Sequence, residues 1–142
     1  MLENNEIRSN EANNNSDITD KYNIAVNVSV QYIKEQSMPE KKRYVFAYTI
    51  NILNRGSVAV RLLSRHWLIT DAEGKVQEVR GSGVVGEHPD LKPGEDFTYT
   101  SGAIIETPVG SMQGSYQMQA GDGTTFDAEI AAFSLAQPNI LH

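Results

Sequence analysis

"GSGVVGEHPDLKPGED", residues 81–96, opens as G-x-G-x-x-G, the fingerprint of a dinucleotide-binding loop, and continues in a way that such a loop cannot. In that fingerprint the first Gly makes a tight turn and the second admits a pyrophosphate. The third lets a helix pack close, and the helix N-terminus holds the phosphate. A helix must therefore follow. Here Pro89 and Pro93 follow instead. Each lacks a backbone donor, fixes φ and restricts the residue before it, His88 or Lys92. No helix starts in 87–96, no βαβ unit flanks the stretch, and no Lys-Ser or Lys-Thr pair makes a P-loop. The stretch reads as a sharp connection between two strands. A weaker option stays open: Gly81, Gly83 and Gly86 could point several N–H groups at an anion without any helix.

The sequence on both sides alternates with period 2. In "NIAVNVSVQY", 23–32, Ile24, Val26, Val28, Val30 and Tyr32 share one face, while Asn23, Asn27, Ser29 and Gln31 share the other. That is a half-buried strand. "RYVFAYTINIL", 43–53, puts Tyr44, Phe46, Tyr48, Ile50 and Ile52 on one face. "VAVRLLSRHWLIT", 58–70, starts with Val58, Val60 and Leu62 in phase; the apolar set then passes to Leu63, Trp67 and Ile69. Strict alternation does not allow that change without an extra residue, so a β-bulge is expected at Leu62–Leu63. Trp67, in mid-strand, is the expected central core aromatic.

Turns punctuate the remainder. "DAEG", 71–74, is a hairpin turn with Gly74 at positive φ, and "KVQEVR", 75–80, returns from it. "DLKPGED", 90–96, leads into "FTYTSGAII", and "GDG", 121–123, closes a hairpin inside 113–135. No 12-residue stretch has a 3.6 period free of Gly, Pro or β-branched residues. Seven or eight short strands with regular turns predict an all-β fold, a fibronectin type III/immunoglobulin-like β-sandwich of two antiparallel sheets. Without cysteine it is not a disulfide-pinned antibody domain.

Composition narrows the function classes. The 142 residues predict one domain, residues 21–136. Residues 1–20 hold six Asn and five Asp or Glu with few apolar residues, and are expected to be a disordered polar tail. Residues 137–142 are expected to be a C-terminal tail. The N-terminus lacks the basic start and apolar run of a secretory signal, and no run of apolar residues is long enough to span a membrane. A cytoplasmic protein with no membrane contact is expected. "NNS" (14–16) and "NVS" (27–29) then carry no glycosylation. The net charge of −6 opposes nucleic acid as a partner, because binding there needs a clustered basic face. The densest basic run, "KKR" at 41–43, reads as a strand start on a solvated surface.

Chemistry-bearing residues are sparse. His66 sits beside Trp67 and points the other way, as a structural or surface histidine. Asp71 and Glu73 in "DAEG", and Asp122 in "GDG", read as solvated turn acids; a calcium loop would need further oxygen ligands. No G-x-S-x-G, S-x-x-K or H-E-x-x-H occurs. No catalytic residue, metal site or cofactor is assigned, and the chain is not expected to be an enzyme. The expected interaction surface is the loop 81–94, with Val84, Val85, His88, Pro89 and Leu91, pre-ordered by two prolines. The alternative is a binder of a small anionic ligand, a polyphosphate or dinucleotide, at Gly81, Gly83 and Gly86. The strand 22–34, uncharged from Tyr22 to Tyr32, predicts a homodimer through sheet edges or faces near it. In a competing arrangement the segment "QPNILH", 137–142, covers that strand within one chain.

"SRHW" with "ITD", "VRGSGVVG", "PGE", "YTSG" and "TPVGSMQGSYQM", all within 62–135, closely resemble the bacterial ApaG family. With the first strands the resemblance covers roughly residues 22–135. It implies a fibronectin type III-like sandwich, an association with cobalt tolerance and magnesium efflux, and gene neighbourhood with a diadenosine tetraphosphatase. Eukaryotic relatives are appended domains of an F-box protein and of a DNA-polymerase-interacting protein, which implies protein binding to an unknown partner. The family supplies no catalytic residues to carry over. His88 stands where the family has Gln, and Ala131 stands where it has Pro.

Overall fold

The computed structural model describes residues 21–139. The polar stretch 1–20 and the last three residues of the 137–142 tail lie outside them. The described residues form eight strands: β1 (Ile24–Tyr32), β2 (Tyr44–Asn54), β3 (Val60–Asp71), β4 (Val76–Ser82), β5 (Asp90–Leu91), β6 (Asp96–Ile105), β7 (Val109–Ala120) and β8 (Thr125–Ala136). Two single-turn 3-10 segments, Lys34–Gln36 and Pro39–Lys41, link β1 to β2. "KKR" closes this link and does not open the strand: Lys42 caps the second turn with φ 55°, and β2 begins at Tyr44.

The strands form two antiparallel sheets, β1-β2-β6 and β4-β3-β7-β8, with β5 added to β3. This is the two-sheet sandwich that the alternation implies, because each strand has one apolar face to cover. On β2 the inward side chains Phe46, Tyr48, Ile50 and Ile52 are buried, as the sequence phase requires. They meet Leu62, Trp67, Ile69, Met112, Tyr116, Met118 and Leu135 of the other sheet in one core. Trp67 is 2% exposed. Tyr48, Tyr116 and Phe133 surround it with ring centroids 5.4, 6.3 and 6.0 Å away. Its indole N–H is buried without a hydrogen-bond partner. Above Trp67 in the ladder is Gly114, where a Cβ would stand 2.0 Å from the His66 carbonyl oxygen. Only glycine lets β3 and β7 approach so closely there.

The β3 register against β7 shifts between Leu62 and Ser64, at the position where the apolar phase changes. Leu62 and Trp67 are both buried on either side of the bulge, although five residues apart. β7 and β8 shift register between Met112 and Gly114. Ala131 lies opposite that break. Turn glycines Gly74, Gly94 and Gly123 have φ 85°, 87° and 88°.

Two turn acids are not simply solvated. Asp71 is buried and accepts the N–H groups of Glu73 and Lys75 at 2.9 Å each, an Asx turn that shapes the hairpin. Asp122 accepts the Tyr22 hydroxyl at 2.6 Å, pairs with Lys21 at 3.2 Å and accepts the Thr124 N–H at 3.0 Å. The Tyr22 hydrogen bond, foremost, holds its carboxyl well below the usual carboxylate range. The start of the first strand is thereby tied to the hairpin between β7 and β8, a contact across 100 residues of chain.

Candidate functional site

The loop 83–89 leaves and rejoins a single edge of β3. β4 pairs with that edge along Ser64–Thr70, and β5 pairs with it along Val60–Arg61. The bulge fills the gap between them, and its backbone groups are taken up by the loop. Gly83 N–H donates to the Leu63 carbonyl (2.9 Å), and Leu62 N–H donates to the Pro89 carbonyl (3.0 Å). His88 Nδ1 bonds the Leu62 carbonyl and its Nε2 bonds the Ser82 hydroxyl, both at 3.2 Å. A carbonyl only accepts, so Nδ1 carries the proton in this pairing. The bulge that the sequence phase required is thus the socket of the loop.

Each motif glycine has a separate local cause. Gly81 lies on β4 opposite Arg65, whose guanidinium covers it and donates to the carbonyls of Ser82 (3.1 Å) and Gly83 (2.8 Å). At Gly83, with φ 63°, a Cβ would stand 2.3 Å from the Glu87 carbonyl oxygen. Gly86, with φ 80°, has open space around it. Val84 and Glu87 exchange both backbone hydrogen bonds, at 2.9 and 2.8 Å. Val85 (φ 43°) and Gly86 are the central residues of this tight turn, and two positive φ values mark the I′ type. The N–H groups of Gly83, Val84 and Glu87 are therefore spent inside the protein.

The predicted contact residues separate into two groups. Val84 is fully buried and Leu91 is buried on β5, so these two hold the loop and do not face a partner. Val85 is 55% exposed, His88 is exposed, and Pro89 is half-buried. A β-branched residue at positive φ is an unusual conformation, and here it holds an apolar side chain in water. Beside the turn runs an open groove of about 570 Å³, lined by Glu87, Pro89, Asp90, Leu91, Glu95, Asp96 and Phe97. Three of its four acids have local tasks: Asp90 pairs with Arg61 at 3.6 Å, Glu95 accepts the Lys92 N–H, and Asp96 accepts the Asn51 amide. Sequence reasoning missed Arg65 as the support of this loop. Its only signal is the cross-strand position opposite a glycine, which is not visible before the register is known.

Elsewhere, His66 points away from Trp67 to the outer face, where its Nε2 meets Glu78 at 2.6 Å and Arg80 reaches the same carboxylate oxygen at 3.0 Å. The hydrogen bond to His66, and then the Arg80 charge, hold the Glu78 carboxyl below its ordinary range. Among the described residues no group of three His, Cys, Asp or Glu is placed to hold a metal ion. No helix among them is long and apolar enough to cross a membrane.

Comparison with known proteins places this architecture. The family model for the ApaG domain matches residues 34–120. Protein ApaG of Thiobacillus denitrificans is 62% identical over 122 residues, covering 86% of this chain and 96% of the relative. Protein ApaG of Pseudomonas putida is 60% identical over 122 residues, covering 86% and 97%. The crystal structure of an ApaA protein from Bordetella pertussis superposes with a TM-score of 0.82 at 50% identity, covering 84% of this chain and 97% of that one. A protein from Archaeoglobus fulgidus, at TM-score 0.51 and 9% identity, shares the fold alone. On the matched domain and the identities, the chain belongs to the ApaG family.

Proposed function

We propose that the chain is a non-catalytic interaction module of the cytoplasm, and that its loop 83–89 docks a protein partner. The observation that carries this reading is Val85. A valine at φ 43° costs conformational energy, and an apolar side chain 55% exposed gains nothing from solvent. Asparagine or glycine would fit the same turn without strain. The socket beneath it is rigid, with Val84 in the core and the bulge carbonyls bonded, so little entropy is lost when a partner closes on the tip. On this reading the family's association with cobalt tolerance and magnesium efflux runs through the partner.

The test is capture from native cell extract with wild type and with Val85→Asn. At least one protein held by wild type should be lost with Val85→Asn, while the variant melts no lower than wild type. Identical captured sets would overturn the reading. A second reading, a small anion at 81–86, is favoured by the Arg65 guanidinium over Gly81. Titration calorimetry with pyrophosphate and diadenosine tetraphosphate tests it: heat that disappears in Arg65→Gln supports it, and no heat removes it.

A further inference from the structure

The groove beside the loop 83–89 has a floor and walls of different chemistry. Its floor is apolar: Pro89 and Phe97 are half-buried, and Leu91 is buried. Its walls carry the carboxylates of Glu87, Asp90, Glu95 and Asp96, and no basic residue lines it. The neighbouring bases, Arg61 and Lys92, line a separate depression with Val60, Gln119 and Gly121.

Two of the four carboxylates are held by neutral donors. Glu95 accepts the Lys92 backbone N–H at 2.9 Å, and Asp96 accepts the Asn51 amide at 2.6 Å. A neutral donor fixes a carboxylate in place and leaves its charge uncompensated. Asp90 has a cation, Arg61, at 3.6 Å, but both side chains are more than half exposed, and such a pair is weak. Glu87 stands exposed at the base of the turn, with its backbone N–H and carbonyl both bonded to Val84. The chain behind these acids is bolted to the core through Asn54, which is fully buried. The Asn54 side-chain amide donates to the Leu91 carbonyl at 2.9 Å, its backbone N–H donates to the Glu95 carbonyl at 3.0 Å, and its own carbonyl accepts the Gly94 N–H at 2.8 Å. The acidic wall is therefore ordered before anything binds, which lowers the entropy lost on docking.

We infer that this groove takes a basic segment of the docked protein: lysine or arginine side chains meet Glu87, Glu95 and Asp96, and an apolar side chain between them rests on Phe97 and Pro89. The inference rests on the reading of the loop 83–89 as a docking site and names the chemistry of what docks there. Charge complementarity selects the occupant. An acidic segment would meet four like charges, and a purely apolar one would strip water from carboxylates that it cannot pair. A basic segment pairs them, and the methylene stems of its side chains cover the apolar floor. The net charge of −6 on the chain also draws a basic partner in from a distance.

The experiment follows amide resonances of the isotope-labelled full chain with capped heptapeptides as probes: Lys-Ser-Lys-Leu-Lys-Ser-Lys, the same peptide with Ser for Leu, and the same peptide with Glu for every Lys. The first should shift the resonances of 87–97, and salt should weaken it, since exposed charges are screened. The leucine-free peptide should bind about three-fold more weakly, and the glutamate peptide should shift nothing. Glu87→Gln with Glu95→Gln removes two charges and keeps an acceptor for the Lys92 N–H. That variant should bind the lysine peptide about three- to ten-fold more weakly. No shift at 87–97 overturns the inference. So do shifts spread equally over Asp127 and Glu129 of β8, equal affinity without the leucine, or an unchanged affinity in the double variant. Val85→Asn separates this inference from the reading it rests on. If that variant loses a captured protein while the lysine peptide leaves 87–97 of wild type unmoved, the loop docks a partner and the groove inference fails. If the peptide moves 87–97 while the captured sets are identical, the groove stands and the reading of the valine tip fails.

Discussion

The guanidinium of Arg65 lies on Gly81, its cross-strand neighbour, so closely that a Cβ at that glycine would stand 2.6 Å from the guanidinium carbon. Arg65 reaches over the strand and bonds the two carbonyls beyond it, which fixes the direction in which the loop leaves β4. The glycine at the head of the motif admits a side chain of the protein itself.

The three motif glycines should therefore respond unequally to alanine. Gly83→Ala meets a backbone oxygen that cannot move aside and also needs positive φ, so a loss of about 2–4 kcal/mol is expected. Gly81→Ala displaces the end of a flexible side chain and two hydrogen bonds, for about 1–2 kcal/mol. Gly86→Ala meets open space and loses about 1 kcal/mol through φ alone. Urea unfolding of the three variants checks the order. Equal losses, or Gly86→Ala as the worst, would show that the loop is held differently.

Val85→Asn should raise stability by about 0.5–1 kcal/mol, because Asn tolerates the left-handed conformation that valine resists. Thermal melting measures it. A destabilised variant would mean that the exposed isopropyl group makes contacts within the fold that outweigh the strain.

Trp67→Ala should cost about 3–5 kcal/mol, since it empties a site enclosed by three aromatic rings. Phe keeps an aromatic ring in this site, and the indole N–H has no partner to lose, so Trp67→Phe should cost clearly less than Trp67→Ala. Denaturant titration of both variants reads the difference. Equal losses would mean that a phenyl ring cannot fill the site that the indole leaves.

Alkaline pH should unfold the protein through two buried phenols. Tyr99 and Tyr116 are hydrogen-bonded through their hydroxyls across the two sheets. Burial pushes Tyr99 up to about 12 and raises Tyr116 as well. An ordinary tyrosine titrates at about 10. Between those values the unfolded chain has released protons that the folded chain still holds, so unfolding stability falls as pH rises. The contribution is complete below about pH 10 and is lost as pH climbs through 12. Melting temperature should be flat near neutrality and drop steeply above pH 10, less steeply in Tyr99→Phe. The same slope in both proteins would remove Tyr99 from the account.

What the sequence determined by itself is whatever follows from local sterics repeating every two residues. The alternation in 24–32 and 44–52 assigns faces, because successive side chains in a strand point to opposite sides whatever the strand pairs with. The phase change at Leu62–Leu63 demanded a bulge for the same reason, and Pro89 and Pro93 excluded a helix through their own rings. What only the tertiary structure decided depends on pairing between distant segments. Val84 and Val85 are neighbours of one residue type, and nothing local says that one enters the core and the other enters water. That follows from the turn being seated on the bulge of a strand twenty residues earlier. Asp71 is buried and Asp122 is bonded to Tyr22 because other segments close over them. Arg65 rests on a glycine only because β4 pairs with β3 in this register and no other. A shift of one residue would turn every side chain of β4 to the other face.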